Sequence, residues 1–163
     1  MTATKQQLLA RLDELGIEAV TRDHPPVYTV EEARALRGDI PGGHCKNLFL
    51  KDKKGQLWLV VCLEDAVIDL KSLPDRIGAA RISFGKAELL QEVLGVEPGS
   101  VTPFALINDA SHQVNVVLDA SMMDCDFVNY HPLVNTATTT LTPADLLRFI
   151  ESCGHKPQTV TLY

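Results

Sequence analysis

The chain has 163 residues, 45% apolar and 22% charged, with a formal net charge of −6. That length suits one domain, residues 1–163, with enough chain to bury a core without metal or disulfide staples. The acidic balance argues against DNA or any broad phosphate footprint, and no apolar run is long enough to span a membrane. Met1 to Lys5 lead directly into a polar helix with no leader pattern, so a cytoplasmic protein is expected.

In chain order, residues 5–15 place Leu8, Leu12 and Leu15 on one helical face, ended by Gly16. Residues 18–22 read as a strand. Pro25-Pro26 keeps the chain extended, and Thr29-Val30-Glu31-Glu32 has capping-box spacing for a second helix. Strands 47–52 and 57–63 form a hairpin around Lys53-Lys54-Gly55. Residues 69–77 predict a short helix or turn limited by Pro74, 81–84 a short strand, and 86–94 a helix stopped by Gly95. Residues 97–103 read as a loop, and 105–107, 113–119, 127–130 and 136–141 as strands. Thr142-Pro143 opens a last helix that reaches Cys153, and 159–162 form a final strand. Helices and strands mix without strict alternation, which predicts an α+β fold on a mixed, mostly antiparallel sheet.

Four cysteines, at 45, 62, 125 and 153, form no Cys-x-x-Cys pair, so neither zinc nor a redox motif is implied. Cys62 reads as core, and Cys45 as a bystander pointing away from its neighbour Lys46. No His-Glu-x-x-His, nucleophile elbow, phosphate-binding loop or dinucleotide fingerprint occurs. No metal and no cofactor is expected.

The residues left to carry chemistry are few. Lys46 and Asn47 stand at the head of a strand, where an ammonium needs an anionic or strongly polar partner unless its stem simply snorkels. The Gly99-Ser100 turn offers backbone N–H groups to an oxygen ligand, or is an ordinary turn. His131 is held extended by Pro132 and can donate a hydrogen bond or move a proton, or serve structure alone. His24 reads as a loop cap, His44 as exposed, and His112 and His155 as incidental. Lys51, Lys53, Lys54, Arg81 and Lys86 concentrate positive charge, which marks either an RNA-facing side or a solvated hairpin tip.

Residues 24–33 (His-Pro-Pro-Val-Tyr-Thr-Val-Glu-Glu-Ala), 46–50 (Lys-Asn-Leu-Phe-Leu), 99–104 (Gly-Ser-Val-Thr-Pro-Phe) and 131–138 (His-Pro-Leu-Val-Asn-Thr-Ala-Thr) occur in that order. With them the chain resembles, over essentially its whole length, the prolyl-tRNA editing deacylases of the YbaK/ProX type, related to the editing domain inserted in bacterial prolyl-tRNA synthetases. The resemblance implies a curved sheet closing partly into a barrel with helices outside. It implies hydrolysis of mischarged Ala-tRNA(Pro) in trans, sparing Pro-tRNA(Pro). The alternatives are Cys-tRNA(Pro) hydrolysis or a noncatalytic module that binds the tRNA acceptor end. By resemblance, Lys46 meets the ester carbonyl or terminal phosphate, and Asn47 and His131 orient the ribose. Gly99, Ser100 and Phe104 help wall the amino-acid pocket. The implied partner is the acceptor end of tRNA(Pro), with prolyl-tRNA synthetase or an elongation factor as candidate protein partners.

Overall fold

A computed structural model describes residues 2–26 and 40–162, so the segment expected to begin a helix at Thr29 lies outside the described residues. Helix α1 is Lys5–Glu14, with Thr4 and Gln7 closing a reciprocal capping box at its start. Strand β1 (Val20–Asp23) follows, then β2 (Gly43–Asp52) and β3 (Leu57–Leu63), the expected hairpin. β2 begins four residues earlier than the apolar pattern suggests. Gly42 makes this possible: its φ is +95°, and a Cβ there would lie 2.6 Å from the Phe127 carbonyl oxygen.

Helix α2 is Leu73–Ile77, β4 is Ile82–Phe84 and α3 is Ala87–Leu94. Pro74 stands in the first turn of α2, where a missing N–H costs nothing, so it starts that helix rather than limiting it. The chain then makes a 3-10 turn over Pro98–Ser100 and a 3-10 helix over Pro103–Asn108. The strand expected at 105–107 is therefore helical. Thr102 accepts a hydrogen bond from the Phe104 N–H, Pro103 presets the first turn, and Pro103 to Leu106 are all buried. Continuous burial, not a sheet position, explains that apolar run.

The remaining elements are β5 (Val114–Asp119), α4 (Ala120–Met123), β6 (Val128–Tyr130), β7 (Ala137–Leu141), α5 (Pro143–Ser152) and β8 (Gln158–Val160). Thr142 caps α5, with Pro143 in its first turn. The strands make one mixed sheet in the order β1-β7-β6-β2-β3-β5-β8, and β4 pairs with β2 beside that path. Pairs β1–β7, β6–β7, β2–β3 and β2–β4 are antiparallel, whereas β2–β6, β3–β5 and β5–β8 are parallel. The sheet does not close; β1 and β8 end its path, and β4, paired with β2 alone, is a further edge.

Alternation along the strands gives the two faces different partners. One face carries Phe49, Leu59, Val61, Val116, Leu118, Val128 and Tyr130 and packs against α1, α3, α5 and the 3-10 helix. On the other, Leu50, Trp58, Val60, Cys62 and Val117 are covered by Ala66, α2 and Leu162. That apolar cover reaches only the β2-β3-β5-β8 half. The β1-β7-β6 half of the same face carries polar side chains.

Candidate active site

The polar half-face is assembled by register. β2 runs parallel to β6, with Gly43 beside Val128 and His44 beside Asn129. Continuing that register sets Tyr130 beside Cys45 and His131 beside Lys46. A hydrogen bond between the Cys45 and Tyr130 side chains bears out the first of these placements. Alternation puts Lys46 on the face shared by His44 and Asn129, and His131, two residues past Asn129, has the same parity. Across β7 the row continues to Thr138, and from there to its partner Arg22 on β1.

The half-buried Lys46 side chain donates from Nζ to the Ala66 carbonyl at 2.6 Å, a neutral acceptor. His131 Nδ1 lies 3.2 Å from the Ala137 carbonyl. A carbonyl only accepts, so Nδ1 carries the proton and Nε2 is left as an acceptor. Burial pushes the His131 pKa down; the Ala137 bond works against this and the charge of His24 works with it. The ring is therefore a neutral imidazole at pH 7. An ammonium beside a neutral imidazole with a free lone pair can stabilise a developing oxyanion while accepting a hydrogen bond from a hydroxyl.

Asn47 faces the other way, because successive strand residues alternate. Its Nδ2 donates to the Val101 carbonyl at 3.1 Å, tying β2 to the 99–104 loop. Its Oδ1 is buried without a hydrogen-bond partner. A buried acceptor left unpaired costs about 1–3 kcal/mol, which a donor from a ligand would offset. Ser100 is buried at the end of its 3-10 turn, and Gly99 is exposed. Gly99 has an ordinary φ, and a Cβ there would meet nothing within 4 Å, so the fold does not require glycine at this position. Phe104 is fully buried and packs edge-on against Tyr130 and Phe149, with ring centroids 5.9 and 5.4 Å away. It supports the loop from within the core.

The structure thus divides the six sequence candidates by face. Lys46 and His131 share one face; Asn47 meets the Gly99–Phe104 loop on the other, and β2 joins the two groups. Arg22, Asn129, Thr138 and Thr140 were not anticipated. Arg22 donates to the Thr140 hydroxyl at 3.2 Å, Thr140 donates to Asn129 Oδ1, and Asn129 Nδ2 holds the Pro41 and Gly43 carbonyls. These bonds fix the start of β2 and so the level at which Lys46 stands. The threonines at 138 and 140, two apart on a strand, were the available signal. His24 caps its own loop, with Nδ1 2.8 Å from the Pro25 carbonyl and Nε2 2.8 Å from the Thr138 hydroxyl.

Burial disfavours the thiolate form at all four cysteines. Burial pushes Cys45 up to about 12 and Cys62 up to about 11, although Lys46 pulls Cys62 the other way. His155, read from sequence as incidental, is buried and lies 2.9 Å from Asp109 Oδ2, remote from this row and packed edge-on against His112. Among the described residues, no three His, Cys, Asp or Glu side chains gather as a metal site, and no helix is long and apolar enough to cross a membrane.

Residues 24–149 match the family described as the aminoacyl-tRNA editing domain. The chain is 39% identical over 159 residues to the prolyl-tRNA editing protein ProX of Acetoanaerobium sticklandii, covering 97% of each chain. It is 40% identical over 158 residues to prolyl-tRNA synthetase associated domain-containing protein 1 of Xenopus laevis, covering 94% of each. Its fold matches the crystal structure of a candidate trans-editing enzyme for prolyl tRNA synthetase with a TM-score of 0.71, at 19% identity and 99% coverage of both chains. A match over most of the chain, together with relatives of this identity along nearly its full length, makes the chain a member of the aminoacyl-tRNA editing domain family.

Proposed function

We propose that this editing domain acts in trans as a hydrolase of mischarged tRNA(Pro), removing alanine from Ala-tRNA(Pro) and leaving Pro-tRNA(Pro) intact. What supports the reading is a polar sheet face toward which alternation from β2 and β6 turns both Lys46 and the neutral His131. An aminoacyl ester is already activated, so positioning and charge stabilisation suffice. Water attacks the ester carbonyl, and the Lys46 ammonium stabilises the negative charge that develops on its oxygen. His131 Nε2 accepts a hydrogen bond from the terminal ribose and orients it. The ester C–O bond then breaks, a proton passes to the ribose oxygen through a neighbouring ribose hydroxyl, and free alanine leaves. No covalent enzyme intermediate forms.

Asn47 holds the 99–104 loop on the face of β2 opposite Lys46, so Gly99 and Ser100, backed by the buried Phe104, bound the site from the far side of the strand. A rigid wall excludes a larger side chain more effectively than any pocket excludes a smaller one, so proline is rejected by size. The RNA partner is the acceptor end of tRNA(Pro), with prolyl-tRNA synthetase or an elongation factor as the protein that hands it over, in the cytoplasm.

The test is single-turnover hydrolysis of tRNA(Pro) charged separately with alanine, cysteine, serine and proline. Alanine is expected to leave fastest, serine more slowly, and proline hardly at all. Lys46→Ala is expected to lower the alanine rate about a hundred-fold or more with an unchanged melting temperature. Faster loss of cysteine than alanine would reassign the substrate. Equal rates for proline and alanine would overturn the size sieve, and full activity in a folded Lys46→Ala protein would remove the proposed charge stabilisation.

A further inference from the structure

Asp119 closes β5 with a side chain fully shielded from solvent. Its Oδ1 accepts the Ser121 N–H at 3.1 Å, which caps α4. A four-residue helix does not require a buried carboxylate for that. Serine or asparagine caps as well, without the cost of desolvating a charge. The second oxygen does what a cap does not. Oδ2 accepts the Leu63 N–H at 3.4 Å, across the sheet on β3.

Leu63 is where the chain leaves β3. The Ala66 N–H donates to the Leu63 carbonyl at 3.0 Å, and the Glu64 N–H to the His44 carbonyl at 2.9 Å, which closes a turn over 63–66 and ties it to β2. The Ala66 carbonyl then accepts the Lys46 ammonium. Asp119, Leu63, Ala66 and Lys46 therefore form one run of hydrogen bonds from the buried end of β5 to the ammonium. Sidedness agrees. Lys46 pairs with Cys62, and extending the β3–β5 register one residue past Val61 and Leu118 sets Asp119 beside Cys62. Lys46 has the parity of Leu50 and Asp119 that of Val117, and Leu50, Cys62 and Val117 lie on one face. Burial pushes the Cys62 thiol up to about 11; Lys46 pulls it down and Asp119 pushes it up, so both groups act on the thiol between them.

A lysine stem is flexible, so its ammonium stands where its acceptor stands. We propose that Asp119 is a positioning residue for the hydrolysis: it pins Leu63, the 63–66 turn follows, and the Ala66 carbonyl sets Lys46 Nζ at the level where the ester oxygen develops charge. The proposal deepens the editing reading and rests on it.

Asp119→Ser and Asp119→Asn test it, because either side chain still caps α4 while neither presents a second acceptor oxygen to Leu63. Single-turnover hydrolysis of Ala-tRNA(Pro) over a range of enzyme concentrations separates the step from binding. Both variants are expected to lower the maximal rate about ten-fold or more with half-saturation unchanged, the signature of a displaced catalytic group. In a Lys46→Ala background the same substitutions are expected to cost nothing further, because Asp119 acts through the lysine. Amide hydrogen exchange, which needs no substrate, is expected to quicken at Leu63 and Ala66 but not at Val60 in the same strand. A folded variant with the wild-type rate would overturn the proposal. So would an equal fractional loss in the Lys46→Ala background, or variants that melt below the assay temperature, which would assign Asp119 to the fold alone. A wild-type protein that hydrolyses no charged tRNA would sink the editing reading; quickened exchange at Leu63 and Ala66 in the variants would then leave the hold of Asp119 on the turn standing.

Discussion

His131 couples the site to pH through its burial. Desolvation holds its folded pKa below 6.5. In the unfolded chain the same imidazole titrates near its ordinary value of about 6.5. Between those two values the unfolded state binds more protons, so stability rises with pH there. The contribution of His131 is therefore complete above about 6.5 and is lost as pH falls through the lower, folded value. Urea denaturation from pH 7.5 to 5 is expected to show this loss in the wild type and a flatter dependence in His131→Asn. Parallel curves for the two proteins would mean that the ring is not desolvated. Hydrolysis should decline over the same range, since a protonated Nε2 can no longer accept from the ribose. The sequence singled out His131 through Pro132 and the surrounding motif; its tautomer was not legible, because the Ala137 carbonyl that sets it belongs to the next strand.

The hairpin depends on Asp52 in the way a helix depends on its cap. Burial acts to raise the carboxyl pKa, but the N–H donors of Gln56, Trp58, Ala80 and Lys54 outweigh it and hold the group below the usual carboxylate range. Asp52→Asn removes the charge and swaps one acceptor oxygen for a donor that faces other donors. It is expected to cost about 1–3 kcal/mol, read as a lower urea midpoint with an unchanged slope. A midpoint equal to the wild type would show that the four bonds are replaceable by water. In sequence, Asp52 is one more charge beside the lysines of the hairpin turn. Its partners include Ala80, twenty-eight residues away, and no local pattern announces such a bond. The 3-10 helix at Pro103–Asn108 teaches the same lesson from the apolar side: a short run of buried residues has no period to reveal whether it is strand or helix.

At the scale of the molecule, the site depends on the core beneath it. Phe104, Tyr130 and Phe149 meet edge to face under the 99–104 loop, between the sheet and α5. Phe104→Ala is expected to cost about 3–5 kcal/mol, because a fully buried ring leaves a cavity that its neighbours fill only in part. Equilibrium urea unfolding measures it, and a loss under about 1 kcal/mol would mean that the loop collapses onto the space. The sequence alone determined the elements whose signals are local: α1, α3 and α5 with their caps and stops, the β2–β3 hairpin and the α+β class; Lys46 and Asn47, expected at the head of a strand, lie inside the longer β2. Only the tertiary structure decided how those residues group. Whether Lys46 meets Asn47 or His131 depends on strand alternation and on the parallel register of β2 with β6, strands separated by three others in the chain. That register is held by bonds from Asn129 to Pro41 and Gly43, across more than eighty residues, and information at that range exists only once the chain has folded.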